Sequence, residues 1–278
     1  MHPVLFDIPV PEFMRGIFPA TITIYTYGAL IALGAILASA YLAFHCKKQL
    51  GIPYYQTNHL ILLILVLAIV GGKLLFYLED PGFYFGDPAN MLRQTGKGFV
   101  FYGSLIFSIS GALLYFRYQK LNTWMMLDLL AITACIVHFF GRLGCFNAGC
   151  CYGHVHDGFL SVTFTDPTCM ASPLDTPLHP TQLYSAFMIL SILGVLIWLK
   201  RRKQFNGQVF LVYIMLYAIG RGVVEIYRGD LSRGFIIDSI ISHSQFISIL
   251  LFSGAFLVYL KLRKVEAAVI AKGFKDKE

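Results

Sequence analysis

Long unbroken apolar runs constrain this chain more than any other feature of its sequence. A membrane-spanning helix needs about 20 consecutive, mostly apolar residues. About seven stretches meet or approach that length: residues 22–44, 59–78, 99–118, 125–140, 182–199, 209–224 and 240–260. The fourth and sixth are short for full spans, and both run out into polar, glycine-containing sequence. That is the pattern of a helix ending in a cavity rather than in lipid. The chain is 57% hydrophobic and only 13% charged, whereas soluble domains carry roughly a quarter charged residues. The expected fold is therefore all-α, a polytopic bundle of about seven transmembrane helices.

The basic residues set the orientation. Lys47 and Lys48 follow the first run, and Arg117 and Lys120 the third. Lys200, Arg201, Arg202 and Lys203 follow the fifth; Lys261, Arg263 and Lys264 follow the seventh. Alternate crossings put all four clusters on one side, which the positive-inside rule makes cytoplasmic. The N-terminus is then outside and the C-terminus cytoplasmic. The net charge of +7 is a topology signal, and a nucleic-acid partner is excluded. Pro3, Asp7, Pro9, Pro11 and Glu12 interrupt the first twenty residues, which lack a signal-peptide pattern and read as a short extramembrane lead-in. No long linker, low-complexity tract or internal repeat divides the chain. Residues 1–278 are expected to form one membrane domain, with small outward loops near 79–98 and 141–179. Within those loops, 82–98 and 155–177 are rich in Pro, Gly and Asp and are expected to form caps.

Chemistry concentrates at the outward ends. Residues 141–153 place Arg142, the thiols of Cys145, Cys150 and Cys151, and four glycines just after an apolar run. An arginine near the bilayer is costly unless an anion or a phosphate needs it, and glycine lets backbone approach a ligand. Arg221, Glu225 and Arg228 are spaced to share one helix face. They read either as a structural ion-pair ladder or as part of a site, with Arg221 the deeper residue and the stronger ligand candidate. His179 precedes Pro180, a residue favoured in the first helical turn, so the imidazole sits at the membrane surface. Lys73 is a further intramembrane charge, and its neighbours Gly71 and Gly72 point to close helix packing or a cavity wall. Tyr27, Tyr102, Ser104 and Gln245 add polar atoms inside the runs.

Taken in order, Tyr27-Gly28, Phe101-Tyr102-Gly103-Ser104-Leu105, the 141–153 segment, His179-Pro-Thr-Gln-Leu-Tyr184 and Gly220-Arg221-x-x-x-Glu225-x-x-Arg228-x-Asp230 resemble the prolipoprotein diacylglyceryl transferase family over nearly the whole chain. The resemblance implies a seven-helix, multi-pass enzyme of the bacterial inner membrane. It would move the diacylglyceryl group of phosphatidylglycerol onto the lipobox cysteine of a prolipoprotein and release glycerol phosphate. No cofactor and no metal are implied; the partners are phosphatidylglycerol, prolipoproteins and membrane lipids. Arg142 and Arg221 match functional arginines and are assigned the phosphate, which guanidinium groups bind well. Tyr27, Gly103, Gly149, Tyr152, Gly153, Gln182, Glu225 and Arg228 match positions that shape or orient the substrate site.

The chain departs from the family pattern. Tyr102 stands where the family usually has histidine, Cys145 and Cys150 where it has asparagine and glutamate, Ala148 at a second asparagine, and Ser185 at a glutamate. Lys73 stands where arginine is common. A tyrosine with its ordinary pKa near 10 is a poor base unless a cation lowers it. Tyr102 polarised by an arginine, and His138 four residues before Arg142, are equal candidates for the base; His179 and His154 are others.

Cys46 and Cys135 read as packing thiols. Cys145, Cys150, Cys151 and Cys169 lie on the oxidising side, where disulfides persist. Cys145 could pair with Cys150 or Cys151, and the remaining one with Cys169. A zinc site that also draws on His154 and His156, a catalytic thiol near Arg142 and plain free thiols stay open. Rival functions are a related lipid transferase with another acceptor, a non-catalytic phospholipid-binding membrane protein, and a thiol-redox protein.

Overall fold

The computed structural model describes residues 2–12, 20–87, 89–93, 98–228, 235–237 and 241–275. Asp230 lies outside the described residues. Along the chain the elements are β1 (Val4–Pro9), β2 (Thr21–Tyr25), α1 (Thr26–Leu50), α2 (Tyr54–Glu79), α3 (Pro81–Gly86), α4 (Ala89–Arg93), α5 (Phe101–Tyr118) and α6 (Thr123–Ala148). They continue with β3 (Val162–Thr163), β4 (Pro177–Leu178), α7 (Thr181–Lys200), α8 (Gln208–Ile226), β5 (Phe235–Ile237), β6 (Ile241–Ser242) and α9 (His243–Lys275). The fold is that of an all-α polytopic membrane protein. Among the described residues, six helices are long and apolar enough to cross a membrane: α1, α2, α6, α7, α8 and α9. The third expected span is α5, whose 18 residues rise about 27 Å.

Three boundaries differ from the sequence expectation. Residues 22–25 are strand rather than helix: Thr21-Ile-Thr-Ile-Tyr25 is rich in β-branched residues, which favour strand, and pairs antiparallel with β1. The last helix runs on to Lys275, well beyond residue 260. Most consequential, the fourth apolar run does not open into a loop at 141. It stays helical to Ala148, giving a helix of 26 residues. Gly141 faces open space, while Gly144 lies against Tyr27, 2.9 Å from where a Cβ would sit. The helix thus keeps two glycines, one of them at a close approach to α1.

The chain forms two compact units, residues 1–38 with 127–278, and residues 39–126. In the second, α2 and α5 run antiparallel. The Ser104 hydroxyl donates to the Ala68 carbonyl (2.6 Å), Ser108 to Ile64 (3.2 Å) and Tyr115 to Gln56 (2.8 Å). Gly103 of α5 packs directly on the Gly71 backbone. Small residues and hydroxyls at the interface are how helices associate in lipid, where apolar burial drives nothing.

In the first unit, Asp128 of α6 is buried and organises the start of α8. Its carboxylate accepts from the Gly207 and Phe210 amides and from Lys203 Nζ, each at 3.0 Å. Those amides are among the orphan donors of a helix N-terminus, and a carboxylate there also meets the favourable end of the helix dipole. At the other end of α6 the 149–180 segment folds as a small cap. Strands β3 and β4 pair within it, over a core of Phe164, Ala171 and Leu178.

Candidate functional site

The end of α6 shapes the site. Gly149, at φ +73°, takes the left-handed conformation that terminates many helices. Its amide donates to the Phe146 carbonyl (3.2 Å) and that of Cys150 to Cys145 (3.1 Å), the paired bonds of a Schellman turn. The turn brings the Cys150 chain back over the last helical turn. Cys151 follows at φ +63°, a conformation that costs a non-glycine residue roughly 1–2 kcal/mol. Two side chains of α7 hold it there. The Thr181 hydroxyl donates to the Cys151 carbonyl and Gln182 Nε2 to the Cys150 carbonyl, both at 2.6 Å. Gln182 is fully buried, and among the described residues no donor reaches its Oε1.

Gly153 closes the join. Its amide donates to the His179 carbonyl at 2.8 Å, and the His154 amide donates to the Tyr227 carbonyl at 3.2 Å. A Cβ at 153 would collide with Tyr227 backbone and lie 2.7 Å from the His179 Cβ. The end of α6, the start of α7 and the end of α8 therefore meet at one point. Tyr152, expected at the substrate, packs instead into the cap core and exchanges hydrogen bonds with Ser172 through its hydroxyl.

Arg142 and Arg228 reach this junction. Arg142 Nε donates to His138 Nε2 at 3.1 Å, one turn apart on α6. That bond engages the His138 Nε2 lone pair and places the imidazole where it can orient the guanidinium. Arg142 and Arg228 both lie within electrostatic range of Cys151, and Tyr27 lies within range of Arg142 and the thiols. Arg221 contacts Glu225, with Nη1 and Oε2 2.5 Å apart, and both side chains are largely buried. The other Glu225 oxygen accepts from the Ser242 hydroxyl at 3.2 Å. Ser242 and Gln245 form a capping box at the start of α9, each accepting the other's amide at 3.1 Å. Three links in these networks, Thr181, Ser242 and Asp128, are residues the sequence reading did not single out for a role. Only the Ser-x-x-Gln spacing ahead of an apolar run could have flagged one of them.

The cysteines are all free thiols, so neither expected disulfide pairing is formed. The Sγ atoms of Cys145, Cys150 and Cys151 lie within 4.8 Å of one another. Cys169 stands apart from them, against Gly149. The Cys151 thiol is held well below its ordinary pKa, first by hydrogen bonds from Cys145 and Cys150 and then by Arg228 and Arg142. Cys150 is pushed up by its hydrogen bonds to the same neighbours and by burial.

The histidines form a separate group. The His179 ring stacks on His156 at 3.9 Å between centroids, meets His154 edge-on at 4.8 Å, and its Nδ1 lies 3.0 Å from the Tyr184 hydroxyl. Desolvation, then His156 and His154, lower its pKa, so it is neutral at pH 7. His156 and His179 border an open, apolar cavity of about 750 Å³ that continues along Tyr184, Met188, Gly220 and Tyr227. Among the described residues no arginine lines it. Tyr102 and Gly103 belong to the other unit: Tyr102 is 64% exposed, and Gly103 is committed to packing on Gly71.

A family profile described as prolipoprotein diacylglyceryl transferase matches residues 16–261. A phosphatidylglycerol–prolipoprotein diacylglyceryl transferase of Clostridium tetani is 36% identical over 252 residues, covering 90% of this chain and 93% of its own. The transferase 2 of Clostridium perfringens is 33% identical over 236 residues, covering 85% and 90%. A transferase of Dehalococcoides mccartyi is 27% identical over 267 residues, covering 95% and 98%.

Proposed function

The chain belongs to the prolipoprotein diacylglyceryl transferase family, and on that premise we propose how its residues divide the work of transferring a diacylglyceryl group from phosphatidylglycerol to a prolipoprotein cysteine. It is a transferase and a multi-pass protein of the bacterial inner membrane, with the 149–180 cap facing outward.

In the reaction a thiolate attacks the glyceryl carbon bonded to phosphate oxygen. The carbon–sulfur bond forms, the carbon–oxygen bond breaks, and glycerol phosphate leaves carrying one more negative charge than the diester had. Charge that develops in the transition state is what fixed cations stabilise best. Arg142, aimed by His138, and Arg221, held by Glu225 and through it by Ser242, take that phosphate. Arg228 adds charge at the same helix end. The apolar cavity between α7 and α8 takes acyl chains, being open and lined by residues lipid would wet. His179, neutral and bordering that cavity, accepts the thiol proton at Nε2 in the tautomer whose Nδ1–H is donated to Tyr184. Tyr27 orients substrate, Gln182 acts through the 150–151 backbone it holds, and Gly149, Gly153 and Tyr152 build the cap that holds the site.

The observation that supports this reading is the junction itself, where Thr181, Gln182 and Gly153 tie the end of α6 to the start of α7 and the His154 amide ties it to the end of α8. Expression in cells depleted of their own transferase tests it. Restored lipidation of a lipoprotein reporter is expected. Release of glycerol phosphate without a lipidated reporter would instead mean a different acceptor, and phosphatidylglycerol bound without turnover would mean a binding protein.

A further inference from the structure

The division of roles proposed above makes no use of the thiol cluster, yet the fold goes to some length to assemble it. Cys145 lies in the last turn of α6, and Cys150 and Cys151 lie beyond it. The Schellman turn reverses the chain so that all three sulfurs fall within 4.8 Å of one another. Cys151 is kept in a left-handed backbone conformation, and hydrogen bonds from Thr181 and Gln182 fix the carbonyls on either side. Three preorganised sulfurs with little freedom to separate are a ligand set.

We propose that Cys145, Cys150 and Cys151 form a three-coordinate thiolate site for a soft monovalent cation, copper(I) in particular. Metal–sulfur bonds of about 2.3 Å in a trigonal plane put the sulfurs about 4.0 Å apart, so the ion fits with a contraction of less than about 1 Å. Among the described residues no other His, Cys, Asp or Glu joins the cluster. His154 and His156, which extend the same stretch of sequence, pack against the His179 ring instead, the first edge-on and the second stacked. Zinc favours four protein ligands in a closed site, whereas soft thiolates without a fourth partner select copper(I). Three thiolates and one monovalent ion leave a net charge of −2, and the guanidinium groups of Arg142 and Arg228 lie in electrostatic range to offset it. Because the cluster sits where α6 joins α7, occupancy would clamp that junction.

The test uses the full chain in detergent, isolated from membranes without reductant. Alkylation and intact-mass measurement are expected to find all three thiols free or metal-bound; a disulfide within the trio overturns the proposal. Titration with copper(I) against a chromophoric copper(I) chelator should show one tightly held ion per chain. X-ray absorption should show three sulfur scatterers and no nitrogen, and the melting temperature should rise. Cys150→Ser and Cys151→Ser should each remove the three-sulfur signature, while Cys46→Ser and Cys135→Ser should keep it. No binding, a nitrogen-containing shell, or a signature that survives both Cys150→Ser and Cys151→Ser contradicts the site. The wild-type spectrum decides the matter even if a variant fails to fold.

Discussion

Arg142 is aimed by a neighbour rather than by its own rotamer preferences. His138 accepts its Nε–H, and a hydrogen bond to a charged group contributes about 1.5–3 kcal/mol. This separates two roles the sequence leaves level. If His138 positions the guanidinium, His138→Gln should keep activity within several-fold, because a glutamine oxygen can accept the same bond. His138→Leu should lose about 10-fold or more. If His138 were the base, Gln and Leu would fall together by about 10²–10⁴. Steady-state lipidation of a lipobox peptide by the two variants decides between them. The spacing of His138 and Arg142 is legible in sequence; which nitrogen faces which is not, because that depends on the side-chain geometry.

At the scale of elements, the apolar runs and basic clusters are read well from sequence because lipid leaves few alternatives to helix. The ends are read poorly. Nothing local stops a helix at 140: Leu143, Phe146 and Ala148 suit one, and the true stop is the left-handed Gly149. Residues 22–25 fail in the opposite sense, since a partner strand at 4–9 overrides an apolar run. Asp128 was invisible as a functional link because its partners are Lys203, Gly207 and Phe210, far along the chain and brought near only by folding. Replacing it leaves buried amides unpaired and Lys203 without its ion pair. Asp128→Ala should therefore destabilise the protein by roughly 3 kcal/mol, read as a lower melting temperature in detergent. Turnover per folded molecule should be unchanged. A variant as stable as wild type would mean that the α6–α8 anchor lies elsewhere.

For the whole molecule, five separated sequence motifs pointed to one chemistry, and four of them contribute to the unit formed by residues 1–38 and 127–278. The Tyr102 motif belongs to the other unit, and there its Gly103 packs a helix pair. The cap adds a pH response. His179 has a lowered pKa in the folded protein, so as pH falls below about 6.5 the unfolded chain binds the proton first. Its contribution to stability is present above that value and is lost as pH drops through the folded pKa. The melting temperature should fall between about pH 7.5 and 5, and His179→Gln should make that slope shallower by up to one proton. An identical slope in the variant would mean another group titrates.

The most direct measurement of the central claim is a reconstitution. The purified chain is mixed with phosphatidylglycerol vesicles and a synthetic peptide carrying one lipobox cysteine, and the peptide is weighed by mass spectrometry. The expected result is a diacylglyceryl thioether on that cysteine, one glycerol phosphate released per peptide modified, and loss of both in Arg142→Ala and in Arg221→Ala. An unmodified peptide with folded, lipid-loaded protein, or full modification by both arginine variants, would contradict it.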